Sequence, residues 1–154
     1  MRVGVAAFSW LVVGCAGPAQ YYGGTGVHGV TATEIAGGWA NVEGTRVELH
    51  QDGTALLRKL DGQDFDYDEG WRLSGAGAWR LADTEGGQVV RLVLKAPTRV
   101  DKRASEADGN QPPSAYNWSL YLDRSKRKHE LKLFFFYGDP DIGNTYVLTR
   151  TPRK

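Results

Sequence analysis

Apolar and polar side chains alternate along most of this chain with a period of two. That spacing puts every second residue on one face of a β-strand. Eight such runs lie between residues 34 and 151, at 37–43, 45–51, 54–60, 76–83, 88–96, 115–124, 129–137 and 144–151. Val47 and Leu49 share a face, against Arg46, Glu48 and His50. Val90, Leu92 and Leu94 oppose Arg91 and Lys95, and Tyr116, Trp118, Leu120 and Leu122 oppose Asn117, Ser119 and Asp123. Leu131, Leu133, Phe135 and Tyr137 oppose Lys132, and in the last run Tyr146, Leu148 and Arg150 share one face.

The connections between the runs are turn-forming. Asp52-Gly53 is a two-residue hairpin signal, Glu85-Gly86-Gly87 closes another hairpin, and Asp123-Arg124-Ser125-Lys126 is a polar turn. Gly138 to Gly143 contains Pro140, which the middle of a strand does not tolerate. Short connections and one-sided burial predict an all-β domain, a small antiparallel eight-stranded up-and-down barrel, with a two-sheet β-sandwich as the alternative. Two longer segments, 61–73 and 97–114, read as loops at a barrel rim.

The first residues depart from this pattern. Met1 and Arg2 precede an apolar stretch, Val3 to Val13, too short to cross a bilayer as a helix, which needs about 20 residues. Val12-Val13-Gly14-Cys15 resembles the lipobox of bacterial lipoproteins. The resemblance implies that residues 1–14 are a signal peptide, that Cys15 carries a thioether-linked diacylglycerol, and that the protein is held on the extracytoplasmic face of the cell membrane. Cys15 is the sole cysteine, so its acylation excludes disulfides, thiolate catalysis and cysteine metal sites. Without Arg2 the chain carries 18 Lys+Arg (19 less one) and 18 Asp+Glu, a formal balance of zero, which argues against nucleic acid as a partner. Residues 15–33 are Gly-rich and aperiodic and read as a flexible tether, with a mean reach of about 25 Å.

Gly37-Gly38-Trp39 opens the first strand and resembles the Gly-x-Trp signature of lipocalins and related calycins. The resemblance implies that Trp39 closes one end of a barrel spanning 34–154 and that Arg150, from the last strand, packs across it. A second Gly-x-Trp, Gly77-Ala78-Trp79, reads either as a weak internal repeat or as a favourable start to a barrel strand. The lipobox, the Asp52-Gly53-Thr54 hairpin and Gly-x-Trp together resemble small lipoproteins of high-GC Gram-positive (actinobacterial) bacteria.

Candidate chemistry is sparse. Asp64-x-Asp66-x-Asp68 resembles the start of a calcium loop, but the sixth position is Glu69 rather than Gly and the twelfth is Gly75 rather than Glu. It reads as a solvated loop. Asp139 and Asp141 read as turn formers, and His28, His50 and His129 lack metal-ligand spacing. No nucleophile elbow or phosphate-binding glycine loop occurs, and the chain is expected to use no cofactor and to be no enzyme. Two binding functions remain. Tyr116, Trp118 and Leu120 could line a pocket for a small apolar ligand; the alternative is a filled barrel acting as a protein-interaction lipoprotein, such as an inhibitor, immunity or envelope factor. Phe134 and Phe136 have outward parity, which marks either a covered face or a partner surface.

Overall fold

The computed structural model describes residues 23–62, 70–103, 113–138 and 142–152. Cys15, Tyr21, Tyr22, the acids from Asp64 to Glu69, and Asp139 to Asp141 lie outside the described residues. Among the described residues, nine strands form one antiparallel sheet: β1 (Gly37–Ala40), β2 (Arg46–Leu49), β3 (Thr54–Asp61), β4 (Trp71–Thr84), β5 (Gly87–Leu94), β6 (Arg99–Lys102), β7 (Tyr116–Arg124), β8 (Leu131–Tyr137) and β9 (Asn144–Arg150). Consecutive strands pair except at β6, which pairs with β4 and leaves β5 to pair with β7, and the ring closes through β1 with β9 and β3 with β4. β1 meets β9 with Trp39 opposite Arg150, and β3 meets β4 along its full length. Closure removes the free edges that a two-sheet sandwich would keep, so the domain is an eight-stranded lipocalin-like barrel with one added strand.

The added strand and the length of β4 differ from the expected pattern. β4 begins at Trp71, inside the segment read as a loop, and runs for 14 residues. Its second half pairs with β5, while Trp71–Ser74 pair with β6, in the segment read as the second loop. β6 continues the path of β5 along the same edge of β4, after a break at residues 95–98 that contains Pro97. Only four residues long and split from β5 by Pro97, β6 has no alternation long enough to read from sequence.

In β3 an extra residue shifts the register between Leu57 and Leu60, with Lys59 in the left-handed region at φ 54°. The bulge reverses the parity, turning Leu60 inward beside Leu57 where strict alternation would have pointed Lys59 into the core. The core is then continuous, with Trp39, Leu49, Leu57, Leu92, Trp118, Leu120 and Phe135 all sealed from solvent.

One helical turn, α1 (Ala32–Ile35), precedes β1. A capping box holds it: the Glu34 amide donates to Thr31 Oγ1 (3.2 Å) and the Thr31 amide to Glu34 Oε2 (2.9 Å). Residues 23–30, read from sequence as tether, instead pack against the β4–β5 hairpin. The Gly26 amide donates to the Gly86 carbonyl (3.0 Å) and the Gln88 amide to the Val27 carbonyl (2.8 Å). The Gln88 side chain accepts from the Val30 amide (2.8 Å) and donates to the Val30 carbonyl (3.1 Å), and Val30 is buried. Glycine-rich composition signals flexibility only where nothing pairs with the backbone, and here an inward glutamine pairs with it.

Gln88→Ala should strand the Val30 amide and carbonyl, destabilising the domain by about 1–3 kcal/mol. Denaturant unfolding reads that loss, and amide exchange at Val30 should speed up relative to β7.

Candidate functional site

The up-and-down order puts α1 and the hairpins at residues 50–53, 85–86 and 125–130 at one end of the barrel. The other end, the mouth, carries the turn at 41–45, the end of β8, the start of β9 and the exits of β3 and β6.

At the first end Arg150 covers Trp39. The guanidinium carbon lies 4.5 Å from the indole centroid, Arg150 Nη1 donates to the Ala36 carbonyl (2.7 Å), and Trp39 Nε1 donates to the Ile35 carbonyl (3.0 Å). Gly37 has φ +133°, and a Cβ there would sit 2.5 Å from Arg150 Nη1. The glycine of the motif is thus the space the arginine occupies. The second Gly-x-Trp works similarly: a Cβ on Gly77 would overlap the Val93 carbonyl, and Trp79 Nε1 donates to the His50 carbonyl (2.7 Å).

The mouth is closed by charge. Asp61, the last residue of β3, is fully buried. Its Oδ1 accepts from Arg103 Nε (2.7 Å), and its Oδ2 accepts from Arg103 Nη2 (3.2 Å) and from the Tyr146 hydroxyl (2.8 Å). Arg72 Nε stands 3.5 Å from the same Oδ2. Arg103 also meets Glu43, and the Thr45 hydroxyl touches that of Tyr146. Thr45 donates to the Lys59 carbonyl (2.7 Å) and accepts from Arg72 Nη2 (3.1 Å). Asp61 and Glu43 balance Arg72 and Arg103, so the plug is electrically neutral.

These surroundings move two protonation equilibria. Burial pulls the Arg103 guanidinium down, but the Asp61 and Glu43 carboxylates outweigh it and hold Arg103 above its ordinary value. Burial pushes the Tyr146 phenol up, and the negative charge of Asp61 adds to the shift.

The residues expected to line a pocket lie directly beneath this plug. Trp118 Nε1 donates to the Asp61 carbonyl (2.8 Å), and Trp118 and Leu120 are fully buried. Tyr116 is half-buried, its ring 4.5 Å from that of Trp118. Phe135 stacks on Tyr146 at 4.7 Å, filling the space across the barrel. Parity identifies these aromatics as inward. It gives no sign of the plug, because Asp61, Arg72 and Arg103 sit in or beside segments read as loops. Asp61 is the first residue of the segment 61–73 that reads as a rim loop.

On the outside, Val89, Tyr121, Phe134 and Val147 stand in register across β5, β7, β8 and β9. Tyr121 lies 5.4 Å from Phe134 and 6.0 Å from Phe136, whose rings are 5.7 Å apart, edge to face. Phe134 is buried and Phe136 half-buried, although both point away from the barrel core. A groove of about 630 Å³ adjoins this row, between residues 23–25 and the side chains of Arg91, Ser119 and Tyr121.

No family model matches the chain, and no curated protein or solved structure matches it. The class rests on architecture: a closed up-and-down barrel, opened by Gly-x-Trp and lidded by arginine at one end, plugged by an ion cluster at the other. Among the described residues no group of three or more His, Cys, Asp or Glu is placed to hold a metal ion, and no helix is long and apolar enough to cross a membrane.

Asp61→Ala should cost about 3–5 kcal/mol, because it leaves two guanidinium groups facing a buried site without their carboxylate. Denaturant unfolding measures the loss, and a cost near that of a surface substitution would contradict the plug. At alkaline pH the unfolded chain gives up the Tyr146 proton at its ordinary value of 10.0, before the folded chain does. Stability should therefore hold steady up to that pH and fall above it. Tyr146→Phe should remove this part of the alkaline loss.

Proposed function

We propose that the protein is an extracytoplasmic lipoprotein, anchored in the cell membrane through acylated Cys15, whose barrel is a non-catalytic binding module for an envelope protein. The single observation that carries the binding mode is the sealed mouth: a ligand entering the barrel would have to displace Arg103 and Arg72 from a buried carboxylate. Partner binding therefore falls to the outer wall. There the rings of Tyr121, Phe134 and Phe136 form a cluster of the kind that anchors protein interfaces. The anchor itself is supported by the lipobox resemblance at Val12–Cys15.

A second reading, a small apolar ligand held against Tyr116, Trp118 and Leu120, draws support from the half-buried Tyr116 at the rim. It requires Arg103, just beyond β6, to swing away from Asp61.

Native mass spectrometry of the protein extracted from its own membrane separates these readings. The expected species begins at Cys15, carries acyl chains and no small molecule, and retains a protein partner that Phe136→Asp releases. A bound apolar compound would overturn the outer-wall reading in favour of the second. Cys15→Ser should abolish acylation and membrane retention; unchanged fractionation would overturn the anchor.

A further inference from the structure

We propose that the β7–β8 hairpin is a contact surface for anionic lipid headgroups, and that the barrel sits on the bilayer with its Trp39–Arg150 end toward the membrane. The inference deepens the lipoprotein reading and rests on it for orientation. Two independent observations converge on this end.

The first is where the chain arrives. Residues 24–30 run along the β4–β5 hairpin, tied by the Gly26–Gly86 and Gln88–Val27 backbone hydrogen bonds. Only residues 16–22 separate Cys15 from Gly23. Fully extended, that stretch spans at most about 27 Å. A short leash fixed at the closed end keeps that end nearer the bilayer than the mouth.

The second is charge. Between Asp123 and Glu130 the hairpin carries Arg124, Lys126, Arg127 and Lys128 against those two acids, four positive and two negative, a net of +2. The turn is well held. The Ser125 amide donates to the Glu130 carbonyl (2.9 Å), the His129 amide to the Ser125 carbonyl (2.8 Å), and His129 takes the left-handed conformation at φ 54° that ends the turn. This puts Lys126, Arg127 and Lys128 together at the apex, all exposed. Arg124, at the base, reaches back to Glu34 of α1 (3.5 Å), which braces the hairpin against the closed end. The mouth differs: its two arginines are cancelled by Asp61 and Glu43. A chain whose mature charges sum to zero thus places a compact positive tip at the end its leash holds near the membrane.

Each such cation near an anionic surface strengthens binding by roughly fivefold, and salt screens the effect over about 8 Å at physiological ionic strength. The full-length chain carrying Cys15→Ser, which no acyl chain can anchor, is to be co-sedimented with vesicles of phosphatidylcholine alone and of phosphatidylcholine with 30% phosphatidylglycerol, about a physiological anionic fraction. The apolar Val3–Val13 run partitions into both, so the difference between them reads the hairpin. The expected result is tighter binding to the anionic vesicles, lost in high salt and reduced on the order of 100-fold in K126Q/R127Q/K128Q. Equal binding to both vesicles, or an anionic preference unchanged in the triple variant, would overturn the proposal. A wild-type mass without acyl groups on Cys15 would overturn the anchor and leave this comparison readable, so the two failures are distinguishable. The three apical side chains are exposed, and an unchanged unfolding midpoint verifies that the variant folds.

Discussion

Taking a carboxylate fully out of water costs several kcal/mol unless the protein replaces the lost hydration. Asp61 carries that cost at the mouth, and much of the barrel's irregularity is explained by how the cost is offset. Arg72 comes from the early start of β4, Arg103 from just beyond β6, Tyr146 from β9 and Thr45 from the approach to β2. Trp118 of β7 binds the Asp61 carbonyl instead of the carboxylate, which fixes the backbone at the same point. The β3 bulge belongs to the same arrangement, since the Lys59 carbonyl it exposes accepts the Thr45 hydroxyl. Removing the carboxylate would leave β6 with little reason to continue past the Pro97 break.

Both ends of the barrel use arginine, by different physics. At the closed end the flat guanidinium of Arg150 lies on the Trp39 ring and its Nη1 reaches the Ala36 carbonyl, just past α1. At the mouth the arginines are neutralised by paired acids around a buried centre. With both ends closed, the features left on the outer surface are the aromatic row on β7 and β8 and the basic turn that joins them. The two features share the β7–β8 pair, so a partner on the wall and a membrane under the tip would be read by one hairpin.

The sequence by itself determined most of the strands and their faces, though not β6, the start of β4 or the β3 bulge, because period-two burial is local: Val90, Leu92 and Leu94, or Leu133 and Phe135, show their inward side within a few residues. The lipocalin resemblance implied that Arg150 covers Trp39, and the inward parity of Arg150 agreed with it. Tertiary structure alone decided the rest. Asp61 looks like any loop acid until strands far apart in the chain bring it two arginines and a tyrosine. Residues 23–30 look like a linker until Gln88 offers its amide to Val30. Arg103 meets Asp61 from 42 positions away, Tyr146 from 85, and Gln88 meets Val30 from 58, and side-chain alternation carries no information over such separations.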